Sequence, residues 1–280
     1  MAGLLAFHAH PDDESISMGG TLAEYAERGT PVTVVTATRG EAGEIHNRTD
    51  ADRVRHHLGE IREAEERAAC AILGVDDVVF LGYRDSGMMG TGDNANPSAF
   101  WNADFMEGVG RLVRVIRARR PDVLTAYDPY GGYGHPDHIQ THRIGTAAFF
   151  GAADPGRFPP VDGEEPWQPA RLYWTTWSRE RIRRVRRRVA QDHGVAEPAD
   201  EPEPSSGTLP AHITTRRDVR PWAARKHAAL LSHATQFAAD SWVRTVTDDQ
   251  LAAFLGEEVF VRVFTTADAD PADPDLFAGL

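Results

Sequence analysis

The sequence predicts an α/β protein with a Rossmann-like, mostly parallel sheet, flanking helices and a smaller C-terminal lobe. Three observations lead to this fold class. Over residues 1–176, short apolar runs alternate with longer segments of helical periodicity, the pattern of repeated strand–helix–strand units. The short runs are apolar almost throughout, as parallel strands buried on both faces are. A length of 280 residues with 41% hydrophobic content allows a substantial core.

The first strand–helix–strand unit lies at the N-terminus. A strand is predicted at 4–7 and a helix at 18–28, which ends at Gly29 because glycine favours the backbone conformation that follows a helix. The β-branched run at 32–38 is the second strand. These three elements form one βαβ unit.

The same alternation continues to residue 176. Ile61, Ala64 and Ala68 stand at helical spacing before Gly74, and they indicate a helix over 59–73. The further predicted elements are a strand at 78–81, a helix at 105–119, a strand at 123–127, a helix at 139–150 and a strand at 172–176. The prediction is therefore five strands with intervening helices, in a sheet ordered 3-2-1-4-5.

After residue 176 the periodic signals weaken, and we divide the chain into a Rossmann-like core at 1–176 and a C-terminal lobe at 177–280. Two helices are predicted at 221–237 and 248–255, and a strand at 259–264. The arginine-rich segment 179–188 is interpreted as a solvated helix face. A mobile acidic loop is expected near 195–208, and a loosely held acidic tail at 267–275.

The composition limits the class of partner. Thirty basic and 42 acidic residues give a formal net charge of −12, which argues against nucleic acid or an anionic membrane as the partner and favours a small molecule. The single cysteine, Cys70, excludes an internal disulfide. The sequence begins without the features of a secretory signal and has no apolar run of about 20 residues, so a cytoplasmic enzyme is expected.

The first predicted strand leads into an unusual turn, His-Ala-His-Pro-Asp-Asp-Glu at 8–14. A nucleotide-binding unit would place glycines here so that a pyrophosphate could approach the backbone. Carboxylates and imidazoles would repel a phosphate, but they suit a divalent cation. Helix capping by aspartate would explain one acid, and not two together with a histidine.

A second polar cluster follows the fourth predicted strand, at 127–138, and ends in Gly-His-Pro-Asp-His. In the order 3-2-1-4-5, strands one and four are neighbours at the switch point of the sheet. The two turns should therefore face each other across the crevice where such folds bind ligands.

The residue types of the two clusters predict a metal site. His10, Asp13 and His138 would form the mixed nitrogen and oxygen ligand set typical of catalytic zinc, with one position left open. We expect one Zn²⁺ per subunit, although Fe²⁺, Co²⁺ or Mn²⁺ suits the same ligands.

The neighbours of these ligands have roles in the same interpretation. Asp12 is placed to take a proton from an activated water, His135 to stabilise a developing oxyanion, and Asp137 to orient the His135 ring. These parts support attack of activated water on a carbonyl. Cys70 lies between alanines in a predicted helix and is interpreted as a packed thiol, and no serine lies in a nucleophile elbow.

The segments Ala-His-Pro-Asp-Asp-Glu at 9–14 and Gly-His-Pro-Asp-His at 134–138 resemble the paired signatures of the LmbE-like, or PIG-L, family of metal-dependent N-deacetylases. The resemblance covers roughly residues 3–176, and the segment 232–236 is similar to a stretch in mycothiol-pathway members. It implies the same zinc ligands, Asp12 as the general base and His135 as the electrophilic acid. It also implies that Tyr133 assists the oxyanion.

The resemblance further implies a substrate. Glu41, Arg62 and Asp85 would line the polyol pocket of an enzyme that removes acetate from N-acetylglucosaminyl-inositol, and their side chains suit hydrogen bonds to sugar hydroxyls. Arg62 could instead pair with Glu65 or Glu66 within its helix, and Glu41 could cap a turn.

We therefore predict a zinc-dependent hydrolase that deacetylates an N-acetylglucosaminyl substrate. An alternative within the same family is the amidase that cleaves S-conjugates of mycothiol. By resemblance, the sequence that follows the first motif in that amidase has a lysine where this chain has Ser17. A natural-product amidase or deacetylase is another alternative. A non-catalytic sugar-binding module with a structural ion would need a fourth protein ligand, and phosphoryl transfer would need a phosphate cradle that is not evident.

Overall fold

One seven-stranded sheet forms the centre of the computed structural model, which describes residues 2–47, 50–192 and 204–280. The strands are β1 (Leu4–His8), β2 (Val32–Thr38), β3 (Asp77–Tyr83), β4 (Val123–Tyr127), β5 (Arg171–Thr176), β6 (Thr215–Asp218) and β7 (Glu257–Thr265). Their order is β3-β2-β1-β4-β5-β7-β6. Strands β1 to β5 are parallel, and β7 is antiparallel to both β5 and β6. The predicted fold class and the order 3-2-1-4-5 are confirmed.

Helices cover both faces of this sheet. They are α1 (Asp13–Glu27), α2 (Ala51–Val54), α3 (Leu58–Leu73), α4 (Phe105–Arg119), α5 (Gly131–Gly134), α6 (Pro136–Gly151), α7 (Arg179–Asp192), α8 (Ala223–Ser232), α9 (Trp242–Thr245) and α10 (Asp248–Leu255). Alternate residues of β1 face opposite sides. Leu5 and Phe7 join the core formed with α4 and α6, while Leu4 and Ala6 join the core formed with α1, α3 and α8.

Most elements of the first 176 residues lie where the sequence places them. Strands β2 and β4 and helix α4 have the predicted bounds. Helix α1 begins at Asp13, five residues before the predicted start, because its first turn is polar and the apolar pattern starts only at Met18. Met18 has non-helical backbone angles and marks a kink between the two parts of the helix.

The C-terminal residues extend the same sheet. The predicted strand at 259–264 is β7, and helix α10 has the predicted bounds, whereas α8 ends at Ser232 and not at residue 237. Strand β6 was not predicted, because Thr-Arg-Arg-Asp carries no apolar residue. The division of the chain at residue 176 stays a prediction.

The expectation of a loosely held tail is wrong. The Thr215 hydroxyl donates to the Pro271 carbonyl oxygen at 3.1 Å, and Arg217 donates to the Pro274 oxygen. The Tyr25 hydroxyl donates to the Asp275 carboxylate at 2.8 Å. These partners come from β6 and α1, which are distant in the sequence, so local composition could not reveal them.

The arginine-rich segment forms α7, with Arg184 and Arg186 exposed as predicted. Arg181 on the same helix instead donates to the backbone oxygens of Glu257, at 2.7 Å, and Phe254. Most of the loop predicted near 195–208 lies outside the described residues. Its described end is held, because the Thr208 amide donates to the Trp177 oxygen at 2.7 Å. A search of the described helices finds none with the length and apolar character that a bilayer span needs.

Candidate metal centre and substrate cleft

The two motif turns lie side by side at the carboxyl edge of the sheet. Strand β1 ends at His8 and leads into the turn before α1, whereas β4 ends at Tyr127 and leads through α5 into α6. Because β1 and β4 are adjacent and parallel, their carboxyl ends open into the same crevice. The structure thus brings the two polar clusters together.

His10, Asp13 and His138 direct three ligand atoms at one point. Asp13 Oδ2 lies 3.3 Å from His10 Nδ1 and 3.4 Å from His138 Nε2, and the two nitrogens are 3.3 Å apart. A tetrahedral ion with bonds of about 2.0–2.1 Å holds its ligands about 3.3–3.4 Å apart. This triangle therefore has the dimensions that three ligands of one such ion require.

The other ring nitrogen of each histidine is fixed by an acceptor. His10 Nε2 donates to Asp137 Oδ2 at 3.1 Å, and His138 Nδ1 donates to the Gly131 oxygen at 3.1 Å. In their neutral forms, both rings then present a lone pair to Asp13 Oδ2, so three acceptors converge with no proton among them. Such an arrangement suits a cation, and outer partners of this kind commonly orient histidine ligands.

The charge around the triangle also favours a cation. Burial alone would lower the pKa of His10, but the carboxylates of Asp85, Asp13 and Asp137 raise it well above its usual value. The site therefore stabilises positive charge at this ring. A bound dication would meet the same electrostatic demand.

A second group of candidate ligand atoms comes from His10, Asp85 and Asp137, whose atoms lie within 4.8 Å of one another. The carboxylate oxygens of this second group already accept hydrogen bonds from neighbouring residues. Asp137 accepts the Ser86 amide at 2.9 Å and the Ser86 hydroxyl, and Asp85 accepts the Gly87 amide at 2.8 Å. Asp13 Oδ2 accepts one backbone amide as well, that of His10 at 2.8 Å. The triangle of His10, Asp13 and His138 is the better metal site because its three atoms have the spacing that one tetrahedral ion requires.

Asp12 lies beside the triangle and lines the cleft. Burial raises the pKa of its carboxyl group to about 6, although the Arg62 guanidinium, 3.2 Å away, opposes this shift. A carboxylate with a pKa near 6 can accept a proton at neutral pH and release it again. This placement is compatible with the predicted role in proton transfer.

His135 also faces the cleft, and the group formed with His10 and His138 has ligand atoms within 4.8 Å of one another. Its Nδ1 accepts the backbone amide of Asp137 at 3.1 Å, so the ring proton resides on Nε2. Burial, together with His10 and His138, lowers the pKa of His135 to about 3. The neutral ring can therefore donate one hydrogen bond from Nε2.

Asp137 contacts the His135 ring, but through its backbone amide and not through its carboxylate. Asp137 holds His135 through its backbone amide, while its carboxylate contacts His10 and Ser86. The reason is local: His135 is the N-cap of α6, and the cap accepts the amide two residues later. The carboxylate is thus free to support a metal ligand instead.

Tyr133 lies over the same histidines. Its ring is 5.0 Å from the His138 ring and 6.2 Å from the His135 ring, and it stacks on Trp177 at 5.9 Å. Burial and the nearby Asp13 raise the pKa of its hydroxyl, which therefore keeps its proton at neutral pH. Tyr133 can donate a hydrogen bond into the cleft.

The cleft has a volume of about 410 Å³, enough for a small sugar. Besides the metal centre, its walls include Arg62, Asp85, Met88, Trp177 and Gln236. The predicted substrate residue Asp85 lies on this wall. Glu41 does not, because its carboxylate turns away and accepts the Asp85 amide at 3.1 Å, which agrees with the turn-capping alternative.

The hydrogen-bond partners of Arg62 lie outside its own helix, α3. It is buried and donates to the Gly40 oxygen at 2.8 Å and to the Asp12 carboxylate. Gly40 has a positive φ of 68°, and a Cβ there would overlap the guanidinium. The alternative of an ion pair with Glu65 or Glu66 is therefore wrong.

Several functional contacts were missed from the sequence. Ser86 holds Asp137, the Gly131 carbonyl holds His138, and Glu14 contacts both Asp12 and His233. Ser86 follows β3 at the carboxyl edge of the sheet, and this position is the sequence signal that indicates it. His233 lies in the segment 232–236, whose resemblance to mycothiol-pathway members marks it, but its contact with Glu14 depends on tertiary packing.

Cys70 lies in α3, fully buried in the apolar core. Burial raises the pKa of its thiol, which disfavours the thiolate. The interpretation of a packed, unreactive thiol agrees with this position.

The chain is similar to known deacetylases. The family model described as GlcNAc-PI de-N-acetylase (PIG-L) matches residues 5–149. A 1D-myo-inositol 2-acetamido-2-deoxy-alpha-D-glucopyranoside deacetylase of Streptomyces scabiei is 42% identical, with 99% of this chain and 89% of the relative covered. An enzyme of the same description from Thermobispora bispora is 44% identical, with 97% of this chain and 89% of the relative covered.

Solved structures share the fold. The N,N'-diacetylchitobiose deacetylase from Pyrococcus horikoshii superposes with a TM-score of 0.65 at 22% identity, covering 93% of this chain and 83% of that chain. The conserved protein TT1542 from Thermus thermophilus gives a TM-score of 0.61 at 24% identity, covering 96% of this chain and 98% of that chain. At these identities the likeness concerns the fold alone.

Proposed function

The chain belongs to the PIG-L family of GlcNAc-PI de-N-acetylases, and from this premise we propose that it deacetylates an N-acetylglucosaminyl-inositol substrate. It is an amide hydrolase, and its products are acetate and the free amine. Relatives above 40% identity over nearly the whole chain carry the name of this deacetylase. That similarity favours the deacetylase over an S-conjugate amidase.

The observation that carries the proposal is the triangle of His10, Asp13 and His138 beside the Asp12 carboxylate. We assign these three residues as ligands of a zinc ion. When bound, zinc supplies Lewis acidity that polarises an amide carbonyl and makes water more acidic.

The remaining residues supply proton transfer and hydrogen bonds. Asp12 takes a proton from the water that attacks the amide carbon, and the same carboxyl group can return a proton to the leaving nitrogen. His135 Nε2 and the Tyr133 hydroxyl donate to the carbonyl oxygen as negative charge develops on it. The proton count then balances, because one water yields acetate and an amine.

Substrate recognition involves the part of the cleft wall that contains Arg62 and Asp85. Asp85 accepts hydrogen bonds from sugar hydroxyls, since its carboxylate borders the cleft. Arg62 lines the cleft as well and orients Asp12. Glu41 shapes this wall indirectly, through the Asp85 amide.

The test is turnover of 1D-myo-inositol 2-acetamido-2-deoxy-alpha-D-glucopyranoside, with acetate and amine measured by mass spectrometry. The zinc-loaded protein should release both products. D12N should keep its zinc while kcat falls by about 10²–10⁴-fold. D122N is a matched control, because Asp122 accepts the Gly3 amide at the opposite edge of the sheet.

Full activity of D12N would contradict the assignment of the base. A protein that ignores this substrate but cleaves the cysteine-side amide of mycothiol S-conjugates would be the amidase instead. Both substrates should therefore be assayed in parallel.

A further inference from the structure

The backbone of Asp12 has a strained conformation. Its φ is 113° and its ψ is −28°, and Arg120 and Asp162 are the other non-glycine residues with positive φ in the described part of the chain. Side chains other than glycine disfavour this region, and such conformations persist only where the surroundings hold them. The contacts that hold Asp12 therefore bear on where its carboxylate points.

Glu14 supplies one of these contacts. The Asp12 amide donates to Glu14 Oε2 at 3.0 Å, across only two residues. Glu14 is fully buried, and its Oε1 accepts both the Ser15 hydroxyl and His233 Nε2, the latter at 2.9 Å. One oxygen of Glu14 thus faces the catalytic turn, and the other faces the C-terminal part of the chain.

His233 fixes the orientation of Glu14. It follows the last residue of α8 and is fully buried, 219 residues from its partner. The contact fixes the Glu14 carboxylate from the side opposite to the Asp12 amide, because the two partners occupy its two different oxygens. Without the His233 ring, the Glu14 oxygen that accepts the Asp12 amide would no longer be held in place.

We propose that Glu14 and His233 are positioning residues for Asp12. The His233 ring holds the Glu14 carboxylate, which holds the Asp12 amide in its strained conformation and so directs the Asp12 carboxylate into the cleft. This inference rests on the proposed function, in which Asp12 is the base. It links the residue that follows helix α8 to the chemistry of the first motif.

A purely structural role is the competing explanation. In that case, the pair would only anchor α8 to α1, and its loss would lower stability without affecting proton transfer. The two explanations differ in whether the effect of His233 depends on the Asp12 side chain. A double-mutant cycle measures this dependence.

The experiment compares H233A, H233Q, D12A and D12A/H233A in the zinc-loaded full chain, with the inositol-sugar substrate. H233A should lower kcat roughly 10–100-fold, as a small misplacement of a reacting group does, with KM and zinc content nearly unchanged. H233Q should recover part of kcat, because its amide can donate to Glu14. In the D12A background, H233A should cause no further loss.

H227A is the matched control, because His227 lies on the same helix and donates to the Val243 oxygen at 2.6 Å, away from Glu14. It should leave kcat unchanged. Equal losses from H233A with and without Asp12, or a lower melting temperature of H233A with wild-type kcat, would overturn the inference. H233Q provides the same comparison if H233A does not fold.

A second readout does not depend on activity. In ¹⁵N-labelled protein, the Asp12 amide should exchange faster with solvent in H233A than in wild type or H227A, because its acceptor is no longer held. Unchanged exchange would overturn the inference even if Asp12 is the base. Full activity of D12A would instead refute the proposed function, and the two failures are thus distinguishable.

Discussion

Helix α1 connects two buried groups of charged side chains. The two groups differ in whether each acidic side chain has a basic partner. We call Glu24, Arg217, Lys226 and Glu258 the paired cluster. Lys226 donates to Glu258 at 2.6 Å, and Arg217 pairs with Glu24. Glu258 also accepts the amides of Gly20 and Thr21, each at 2.8 Å, just after the kink in α1. Each acid here has its own cation.

The metal-centre cluster consists of His10, Asp12, Asp13, Asp85, Asp137 and His138. Its four carboxylates have one permanent cation in hydrogen-bond contact among the described residues, the Arg62 guanidinium on Asp12. Buried carboxylates without compensating charge are unfavourable. The comparison indicates that the paired cluster is complete within the protein, whereas the metal-centre cluster needs a bound cation.

The largest expected effect comes from removing a ligand. H138A should lose zinc and reduce kcat/KM by about 10³-fold or more, because two ligand atoms cannot hold the ion in the same geometry. H142A is the control, since His142 lies one turn further along α6 and contacts the Tyr127 oxygen. Metal analysis and steady-state kinetics measure the two effects. Retained zinc in H138A would contradict the assignment of His138 as a ligand of the cation that the metal-centre cluster needs.

A large effect on stability should come from the paired cluster. K226M leaves Glu258 buried without its cation, which should lower the free energy of unfolding by about 3–5 kcal/mol. The zinc content should not change. Urea unfolding measures the loss, and R220M is the control, because the Arg220–Asp218 pair is exposed and should leave the midpoint unchanged. Zinc loss in K226M would show that the two clusters are not independent.

Zinc itself should stabilise only proteins with the intact triangle. At a free zinc concentration 100 times the Kd, the free energy of unfolding should rise by about 2.7 kcal/mol. Wild type and K226M should both gain this increment, since their ligands are the same. Calorimetry with and without a chelator measures it. A comparable gain in H138A would place the ion elsewhere.

The smallest expected effect on stability comes from an ion pair that is accessible to solvent. Arg119 and Asp77 form a solvent-accessible pair, and the hydrogen bond from Arg119 lowers the pKa of Asp77 although partial burial opposes this. A lowered folded pKa stabilises the protein above the unfolded pKa of about 3.9, and this stabilisation is lost as the pH falls through the folded pKa. D77N should therefore cost about 0.2–1 kcal/mol at pH 7 and less in acid. A constant difference in urea midpoints from pH 7 to pH 3 would contradict this assignment.

The fold and the proximity of the two motifs could be predicted because their signals are local. Apolar runs identify β1 to β5, and two short motifs carry His10, Asp13 and His138 at the ends of neighbouring strands. The order of a parallel sheet then brings the motifs together. Residue type and topology were sufficient for this part of the site.

The remaining features depend on tertiary contacts. Strand β6 has no apolar residue, and the tail at 267–275 is held by Thr215 and Tyr25 from distant elements. The Asp137 carboxylate contacts His10 because a backbone amide already satisfies His135. Local sequence cannot show which of two donors an acceptor will take, so these contacts required the structure.

The most direct test of the central claim is anomalous diffraction at the zinc edge from crystals of the zinc-loaded protein. The account predicts one peak about 2.0–2.2 Å from His10 Nδ1, Asp13 Oδ2 and His138 Nε2. A peak bound instead to His10 Nε2, Asp85 and Asp137, or no peak at the triangle, would contradict it.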